Sequence, residues 1–352
     1  MLCQGTDHQL HAGQCPAADA RAHSDQKAGR PRFVYPEKSP GDCYVIRKKD
    51  FLSLENVSKE EMLRLIALSM EMKNDPGHSV HLLRDRMIGL VFQKPSNRTR
   101  VSFEVGIAQM GGRGVYLGPD EINLGVREST ADVSKTLSRY LNGIIARTNS
   151  HDDLLILAEN ATVPVINGLT DLHHPCQGLA DLFSVKEHFQ TLEGLTIAFV
   201  GDGNNVCHSL LLGAAKLGVN VNVATPEGYG PDKNIMEKVL SICMDSGARI
   251  EVTRDPRAAV RGAHVIYADV WVSMGQEAER EKRLQDFQGY QINAELVKEA
   301  HGQYAFMHCL PAHRGEEVTA EIIDGPNSIV FTQAENRLHS QKAVLNFLFN
   351  TW

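Results

Sequence analysis

The chain lacks the features that mark membrane, disulfide-rich and nucleic-acid-binding proteins. No apolar run approaches the ~18 residues of a membrane-spanning helix. Acidic residues outnumber basic ones by 43 to 36, and a net charge of −7 argues against a general nucleic-acid binder. The seven cysteines are odd in number and form no CxxC pair, which predicts free thiols in a reducing compartment and no zinc site. What remains is the ordinary composition of a globular protein, 42% hydrophobic and 22% charged.

The first 43 residues differ in composition from the rest. Residues 1–43 are rich in His, Ala, Gly, Gln and Pro and show no sustained apolar period. We therefore expect a disordered arm or the remnant of a targeting segment. The apolar stretch of a secretory signal is missing, and arginines accompanied by aspartates make a poor organelle transit peptide.

Beyond this arm, short apolar runs alternate with stretches of helical periodicity. Strands are predicted at 87–92, 113–117, 143–147, 163–167, 195–200, 219–224, 264–268, 304–308 and 328–331. Helices are predicted at 59–73, 101–111, 130–141, 152–160, 176–189, 207–217, 232–246 and 334–348. The alternation predicts an α/β protein of parallel sheets covered by helices. Since 352 residues exceed the ~250–300 at which one core stops growing, we expect two doubly wound domains, divided near 192–194.

The junction between the first predicted strand and its helix, Pro95–Arg100, concentrates hydrogen-bond donors. A helix start attracts anions through its free N–H groups and dipole, and this turn adds the hydroxyls of Ser96 and Thr99 and the guanidinium of Arg98. Forked guanidiniums suit phosphate and carboxylate oxygens. The segment predicts a phosphate-binding turn; the alternative is a helix start capped by Ser96 with solvated arginines.

Polar side chains also follow other strands of the first half, where ligands of parallel sheets bind. Arg147 ends one predicted strand. His174 and Gln177 lie three residues apart at a helix start, with Pro175 suited to the first helical position. These groups can hydrogen-bond a carbonyl oxygen and an amide. Taken one at a time, a solvated arginine and a structural histidine are the simpler interpretations.

The second half offers groups of another kind. Gly201–Gly203 begins like a dinucleotide fingerprint, but the third glycine of that motif is missing. Asp269 and Ser273 follow a strand and suit an α-amino acid, unless they only form a turn. Cys309 follows another strand and would be reactive if cations lowered its pKa, or inert if merely packed. The last helix adds Arg337. The two halves together predict two substrates, a phosphate-bearing carbonyl compound and an amine-bearing zwitterion.

Four segments carry a family resemblance. Ser96–Arg100, His174–Gln177 and His308–Pro311 resemble the S-x-R-T-R, H-P-x-Q and H-C-L-P motifs of the aspartate/ornithine carbamoyltransferase family. Asp269–Gly275 is similar to the D-x-x-x-S-M-G motif of its ornithine-specific members. The resemblance runs from about Asp50 to Leu348 and is strongest to plant or algal members.

The resemblance implies the architecture and the reaction. It implies a carbamoyl phosphate domain at 44–190 with the C-terminal helix 333–352, a Rossmann-like ornithine domain at 191–332, and an active site in the cleft between them. The implied reaction converts carbamoyl phosphate and L-ornithine to L-citrulline and phosphate, in arginine biosynthesis and urea-cycle chemistry. It further implies a homotrimer without metal or cofactor, located in a plastid, with the mitochondrial matrix or cytoplasm as alternatives. Neither nucleic acid nor membrane is expected as a partner.

The resemblance also assigns the site, residue by residue. It implies carbamoyl phosphate binding by Ser96, Asn97, Arg98, Thr99, Arg147, His174, Gln177, Cys309, Leu310 and Arg337. It implies ornithine binding by Asn205, Asp269, Ser273 and Met274. The implied catalytic residues are Arg98, Arg147, His174, Asp269 and Cys309, and the Leu310–Pro311 bond is expected to be cis.

In the expected mechanism the δ-amine attacks the carbamoyl carbon and phosphate leaves. An aliphatic amine with a pKa near ~10 must first lose its proton, and Asp269 with a Cys309 thiolate is expected to select the neutral form. Arg98, Arg147 and His174 are expected to polarise the carbonyl and stabilise the oxyanion.

Three other functions stay open at this point. A dinucleotide-dependent dehydrogenase is favoured only by Gly201–Gly203. A sister carbamoyltransferase would use putrescine, an acylated ornithine or aspartate, although Ser273–Gly275 favours free ornithine. A non-catalytic binding protein of the same fold would be expected to have lost reactive groups, and all of them are present.

Overall fold

The computed structural model describes residues 50–273 and 275–349, so the predicted arm at 1–43 lies outside it. Within these residues the strands are β1 (Met87–Phe92), β2 (Arg113–Leu117), β3 (Gly143–Arg147), β4 (Val165–Leu169), β5 (Thr196–Val200), β6 (Asn220–Ala224), β7 (Ile250–Thr253), β8 (Val265–Ala268) and β9 (Ala305–His308). The α-helices are α1 (Lys59–Asn74), α2 (Asn97–Gln109), α3 (Pro119–Ile122), α4 (Thr130–Tyr140), α5 (His151–Asn160), α6 (Pro175–Phe189), α7 (Asn205–Leu217), α8 (Lys233–Ser246), α9 (Pro256–Val260), α10 (Arg280–Asp286), α11 (Ala320–Ile323) and α12 (Val330–Phe349).

The strands form two parallel sheets, which confirms the predicted α/β fold. The first sheet has the order β2-β1-β3-β4 and the second the order β7-β6-β5-β8-β9. Strand order reverses between β1 and β3 and between β5 and β8, and ligands of such sheets bind outside the strand ends at these points. The register pairs Phe92 with Arg147 and Val200 with Ala268, so the loops that follow start side by side.

Local sequence explains where the helices beside these strand ends begin. Ser96 caps α2, and its hydroxyl accepts the N–H of Thr99 at 3.3 Å. Asn204 caps α7, and its side-chain oxygen accepts two N–H groups of the first turn. Pro175 opens α6 as predicted, at a position where a missing N–H costs no hydrogen bond. These caps fix the helix starts beside the predicted site.

One hydrophobic core joins the two sheets. Helices α6 and α7 pack against each other, and the cluster around them includes Leu90 and Phe183 from the first half and Phe199 and Tyr267 from the second. Two smaller clusters cover the opposite faces of the sheets. The long helix α12 packs on α1, α2 and α6, so the end of the described chain returns to the first half.

The structure corrects several predicted elements. The segment 328–331 is not a strand: Ser328 makes an isolated bridge to Phe306, and α12 begins at Val330. The sequence reading missed β7, an edge strand whose exposed Glu251 interrupts the apolar run. It also missed α3, α9, α10 and α11, which span four to seven residues and carry too little periodicity. Between residues 50 and 349, Met274 excluded, no helix is both long and apolar enough to cross a membrane.

Candidate active site

Three guanidiniums converge at the carboxyl end of the first sheet. Arg98 lies in the first turn of α2, Arg147 ends β3, and Arg337 comes from α12. Burial, then the charges of Arg337 and Arg98, lowers the pKa of Arg147 to about 10. Burial also lowers the pKa of Arg337, and the charge of Arg98 adds to the effect. Positive charge that is both desolvated and self-repelling favours a bound anion.

The Arg337 side chain is held in place by its own hydrogen bonds. One terminal nitrogen donates to Oε1 of Gln177 at 2.6 Å and the other to Oγ1 of Thr99 at 3.1 Å. Within the described residues, Nε of Arg337 and Nε of Arg147 are buried without a hydrogen-bond partner. The site therefore contains oriented donors that a phosphate group can satisfy.

His174 reaches the same cluster from the start of α6. Its backbone N–H donates to Oγ of Ser209 at 2.8 Å, while its side chain takes no part in capping. Burial, together with the charges of Arg337 and Arg147, lowers the pKa of His174 well below its usual value. Its Nδ1 has no partner within the described part of the chain. A neutral imidazole that donates one N–H can polarise a carbonyl oxygen.

Beneath the arginines lies Asp181, which sequence reasoning did not single out. Its Oδ1 accepts the side-chain amides of Gln177 at 2.8 Å and Gln333 at 2.7 Å, and its Oδ2 accepts the Tyr267 hydroxyl at 3.2 Å. Burial raises the pKa of Asp181 to about 7. Because the amide nitrogen of Gln177 faces Asp181, the amide oxygen points to the arginines. The sequence did not indicate Asp181 as a site residue, because it lies one helical turn beyond Gln177 within a largely apolar helix.

At the end of the second sheet, Asp269 is held by two side chains. The thiol of Cys309 donates to Oδ1 at 2.9 Å, and the amide of Asn204 donates to Oδ2 at 2.7 Å. The structure favours a Cys309 thiol over the expected thiolate, because burial and then the Asp269 carboxylate raise the pKa of Cys309 well above its usual value. The charge of Arg98 acts on Cys309 in the opposite direction, which places both groups in one site.

The other predicted ornithine residues within the described chain, Asn205 and Ser273, follow β5 and β8. The amide of Asn205 donates to the carbonyl of Thr170 at 2.5 Å and so bridges the two halves. Ser273 lies on the loop after β8, and Met274 lies outside the described residues. The Leu310–Pro311 peptide bond is cis as expected, and Leu310 has a φ of 58°.

The loop after β8 is anchored by a residue that the sequence reading missed. The Arg283 guanidinium donates to the carbonyl of Trp271 at 3.0 Å and to Asp202 at 2.8 Å, and both Arg283 and Asp202 are largely buried. Nothing in a seven-residue helix signals such a contact, since its partners lie far away in sequence. The anchor keeps the Asp269 loop beside the loop that carries Asn204.

The glycine pair Gly201–Gly203 has a packing explanation. A Cβ at Gly203 would lie 2.3 Å from the backbone nitrogen of Pro231 and 2.5 Å from the carbonyl carbon of Gly230. The second glycine therefore permits close approach of another loop. This removes the observation that favoured a dinucleotide-dependent dehydrogenase.

Two groups of potential metal ligands occur within the described residues. Asp269, His308 and Cys309 form one, and His313, Glu316 and Glu317 form the other, each with ligand atoms within 4.8 Å of one another. In the first group, the thiol and the carboxylate hydrogen-bond each other. In the second, Glu316 pairs with Arg280. These internal partners account for both groups.

An arginine cluster at the strand ends of one α/β half and an acid–thiol pair at those of the other suit a transferase of two polar substrates. Family models give the class: residues 49–187 match the aspartate/ornithine carbamoyltransferase carbamoyl-P binding domain, and residues 193–348 match the Asp/Orn binding domain. The chain therefore belongs to the aspartate/ornithine carbamoyltransferase family.

Individual relatives point to one branch of this family. An ornithine carbamoyltransferase from Bacillus thuringiensis subsp. konkukian is 54% identical over 306 residues, which cover 87% of this chain and 96% of the relative. The solved ornithine carbamoyltransferase from Pyrococcus furiosus superposes with a TM-score of 0.84 at 48% identity, covering 86% of this chain and 98% of that one. The solved anabolic ornithine carbamoyltransferase from Campylobacter jejuni superposes with a TM-score of 0.82 at 36% identity, covering 87% of this chain and 100% of that one. The bacterial sequence relatives do not support the plant or algal likeness.

Proposed function

We propose that this chain transfers the carbamoyl group of carbamoyl phosphate to the δ-amine of L-ornithine, giving L-citrulline and phosphate. Citrulline made in this way feeds arginine biosynthesis and urea-cycle chemistry. The observation that carries the proposal is the cluster of Arg98, Arg147 and Arg337 within electrostatic reach of the Asp269–Cys309 pair. The relatives named ornithine carbamoyltransferase support the same reaction.

Carbamoyl phosphate occupies the arginine cluster in this proposal. The phosphate is bound by the α2 turn and the guanidiniums, and His174 donates to the carbamoyl oxygen. The carbamoyl NH2 donates to Oε1 of Gln177, which Asp181 keeps turned towards the site. The residues assigned to this substrate are Ser96, Asn97, Arg98, Thr99, Arg147, His174, Gln177, Cys309, Leu310 and Arg337.

Ornithine lies on the other side, beside Asp269. Asp269 accepts an N–H of the amine and orients its lone pair towards the carbamoyl carbon. A C–N bond forms as the C–O bond to phosphate breaks, and the departing phosphate takes the proton that the amine releases. Because the structure supports a Cys309 thiol, Cys309 acts in this proposal as a donor to Asp269 and not as a base. The residues assigned to ornithine are Asn205, Asp269, Ser273 and Met274.

The domain division is part of the proposal. We assign 44–190 and 333–352 to the carbamoyl phosphate domain and 191–332 to the ornithine domain. The packing of α12 on α1, α2 and α6 supports the placement of the C-terminal helix, although the match to the second family model continues to residue 348. Loss of carbamoyl phosphate binding on truncation before residue 333, in a chain that stays folded, tests this division.

Assembly and compartment stay predictions of the family resemblance. A homotrimer is expected, and light scattering should give three times the chain mass. The plastid gains no support from the bacterial relatives. Fusion of residues 1–49 to a fluorescent protein distinguishes plastid, mitochondrial matrix and cytoplasm.

One assay tests the reaction and the acceptor together. Citrulline formation is measured with carbamoyl phosphate and L-ornithine, and putrescine, N-acetylornithine and aspartate serve as parallel acceptors. We expect strong preference for ornithine. Preference for another acceptor would retain the carbamoyl phosphate half and reject the ornithine assignment of Asp269–Gly275.

A further inference from the structure

His308 and Glu317 form a buried pair directly behind the reacting groups. Both side chains are completely buried, and Nε2 of His308 lies 3.3 Å from Oε1 of Glu317. His308 ends β9 and is followed at once by Cys309 and Leu310. Neither His308 nor Glu317 is assigned to substrate binding above.

The hydrogen bonds of His308 determine where its ring proton lies. Nδ1 accepts the N–H of Leu310 at 2.8 Å, so this nitrogen carries no proton. The proton is therefore on Nε2, where it faces a carboxylate that can only accept. Glu317 thus selects the tautomer that leaves Nδ1 free to hold Leu310.

The segment held in this way has an uncommon backbone conformation. Leu310 has a φ of 58°, in the left-handed region that a residue with a Cβ rarely adopts. The N–H of His308 donates to Oε1 of Gln333 at 2.9 Å, so His308 is anchored through backbone and ring. Cys309, between the two anchored residues, reaches Asp269. Surrounding bonds of this kind are needed to maintain a strained backbone at a site.

A buried carboxylate at position 317 costs more stability than is needed merely to close a loop. Oε1 of Glu317 also accepts the N–H of His313 at 2.5 Å, whereas Oε2 makes no hydrogen bond among the described residues and has Nδ1 of His313 3.8 Å away. A buried carboxylate with an oxygen that lacks a hydrogen bond costs stability that an apolar side chain of similar shape would not. The presence of a carboxylate at this position therefore points to a role in the site.

We propose that Glu317, acting through the Nε2–H tautomer of His308, is a positioning residue that holds Cys309 and the Leu310 carbonyl towards the substrates. The proposal rests on the proposed carbamoyl transfer. A shift of about 1 Å in a reacting group can lower a rate about 100-fold, so a change of tautomer here is large enough to measure.

Two variants of similar size separate the effect of a hydrogen-bond acceptor at position 317 from the effect of side-chain shape. Glu317→Gln keeps an oxygen that accepts from His308, whereas Glu317→Leu removes it. We expect kcat/KM for ornithine to stay within about threefold of the parent value in E317Q and to fall by about tenfold or more in E317L. The KM for carbamoyl phosphate should change less than kcat/KM for ornithine in E317L, because the guanidiniums that bind the phosphate are held by other contacts, although Cys309 and Leu310 are also assigned to this substrate.

The tautomer is read directly by NMR of protein labelled with 15N-histidine. The His308 signals should report Nε2–H in the parent and in E317Q, and a shift towards Nδ1–H in E317L. E317L with parental kcat/KM, or with an unchanged tautomer, would overturn the proposal. Failure of the parent to carbamoylate ornithine would instead reject the proposed function, since the NMR result does not depend on turnover.

A second pair keeps the test decisive if E317L does not fold. His308→Asn retains an oxygen that can accept the N–H of Leu310, and His308→Leu does not. We expect H308N to keep at least about threefold more kcat/KM for ornithine than H308L. Equal activity of these two variants, both folded by circular dichroism, would contradict the positioning role.

Discussion

At position 98 the geometry of the donor matters as much as its charge. Arg98→Lys keeps a cation but loses the planar fork that fits phosphate oxygens. We expect kcat/KM for carbamoyl phosphate to fall by about 100-fold or more, about 2.7 kcal/mol of transition-state stabilisation. Steady-state kinetics with saturating ornithine measures the change.

The matched control lies two residues further along the same helix. Arg100 lies 3.6 Å from the ring centre of Tyr116 and pairs with Glu104 at 3.1 Å. Arg100→Lys should therefore change kcat/KM by less than about threefold, since exposed pairs of this kind contribute about 1 kcal/mol or less. Losses of equal size at positions 98 and 100 would contradict a role particular to Arg98, and no loss at either position would show that the turn needs only positive charge.

The thiol of Cys309 is expected to act as a hydrogen-bond donor. Cys309→Ser keeps a donor to Asp269, and Cys309→Ala leaves one oxygen of that buried carboxylate without its partner. Because an unsatisfied buried group costs about 1–3 kcal/mol, C309A should lose about tenfold or more in kcat/KM for ornithine, and C309S clearly less. If a thiolate were the reactive form, C309S would be as impaired as C309A.

At the scale of elements, the loop between β5 and α7 depends on close packing at Gly203. Gly203→Ala places a Cβ 2.3 Å from a backbone atom, Pro231 N, so one of the two loops must move. We expect a loss of about 1–3 kcal/mol in the free energy of unfolding and a higher KM for ornithine, because Asn204 shifts with the loop. Urea unfolding and initial-rate kinetics measure the two effects.

Gly302→Ala provides the control for that change. A Cβ at Gly302 meets nothing within 4 Å, and its φ is not positive. This substitution should change the free energy of unfolding by no more than about 0.5 kcal/mol. A G203A variant as stable as G302A would mean that the two loops separate easily in solution.

Elements with strong local signals could be predicted from the sequence, whereas their contacts could not. The strand bounds 87–92, 113–117 and 143–147 agree with the structure, because each is a short apolar run between polar turns. The family resemblance predicts Arg147 in the site, whereas its place at the end of a strand taken alone favours a solvated arginine. Asp181 and Asn204 were missed because their roles come from burial and from partners far away in sequence.

Across the whole molecule, a network of buried polar groups ties the two halves together. Asp181 on α6 meets Tyr267 on β8 and Gln333 on α12, and Gln333 in turn accepts the N–H of His308. Gln177, which contacts the arginine cluster, and the segment that carries Cys309 are thus linked through the carboxylate of Asp181. A carboxylate buried so deeply leaves a measurable mark on the pH dependence of stability.

Acidification acts on two buried groups with opposite sign. Burial lowers the pKa of His173 from 6.5 to about 3, so only the unfolded chain takes up this proton as pH falls below 6.5. This contribution lowers the free energy of unfolding towards pH 3. Burial raises the pKa of Asp181 from 3.8 to about 7, so here the folded protein takes up the proton first. That contribution is fully present below about pH 4 and is lost as pH rises through 7.

Asp181→Asn separates the two contributions. The amide keeps an oxygen for Gln177 and Gln333 but cannot take up a proton. The stabilisation that Asp181 gives on acidification therefore disappears, while the destabilisation that His173 gives persists. Urea unfolding between pH 7.5 and 4.5 should show the variant losing stability more steeply than the parent, by about 3 kcal/mol over this range of pH. Parallel pH profiles would mean that Asp181 is ionised throughout this range, and the glutamine amides would then face a permanent buried charge.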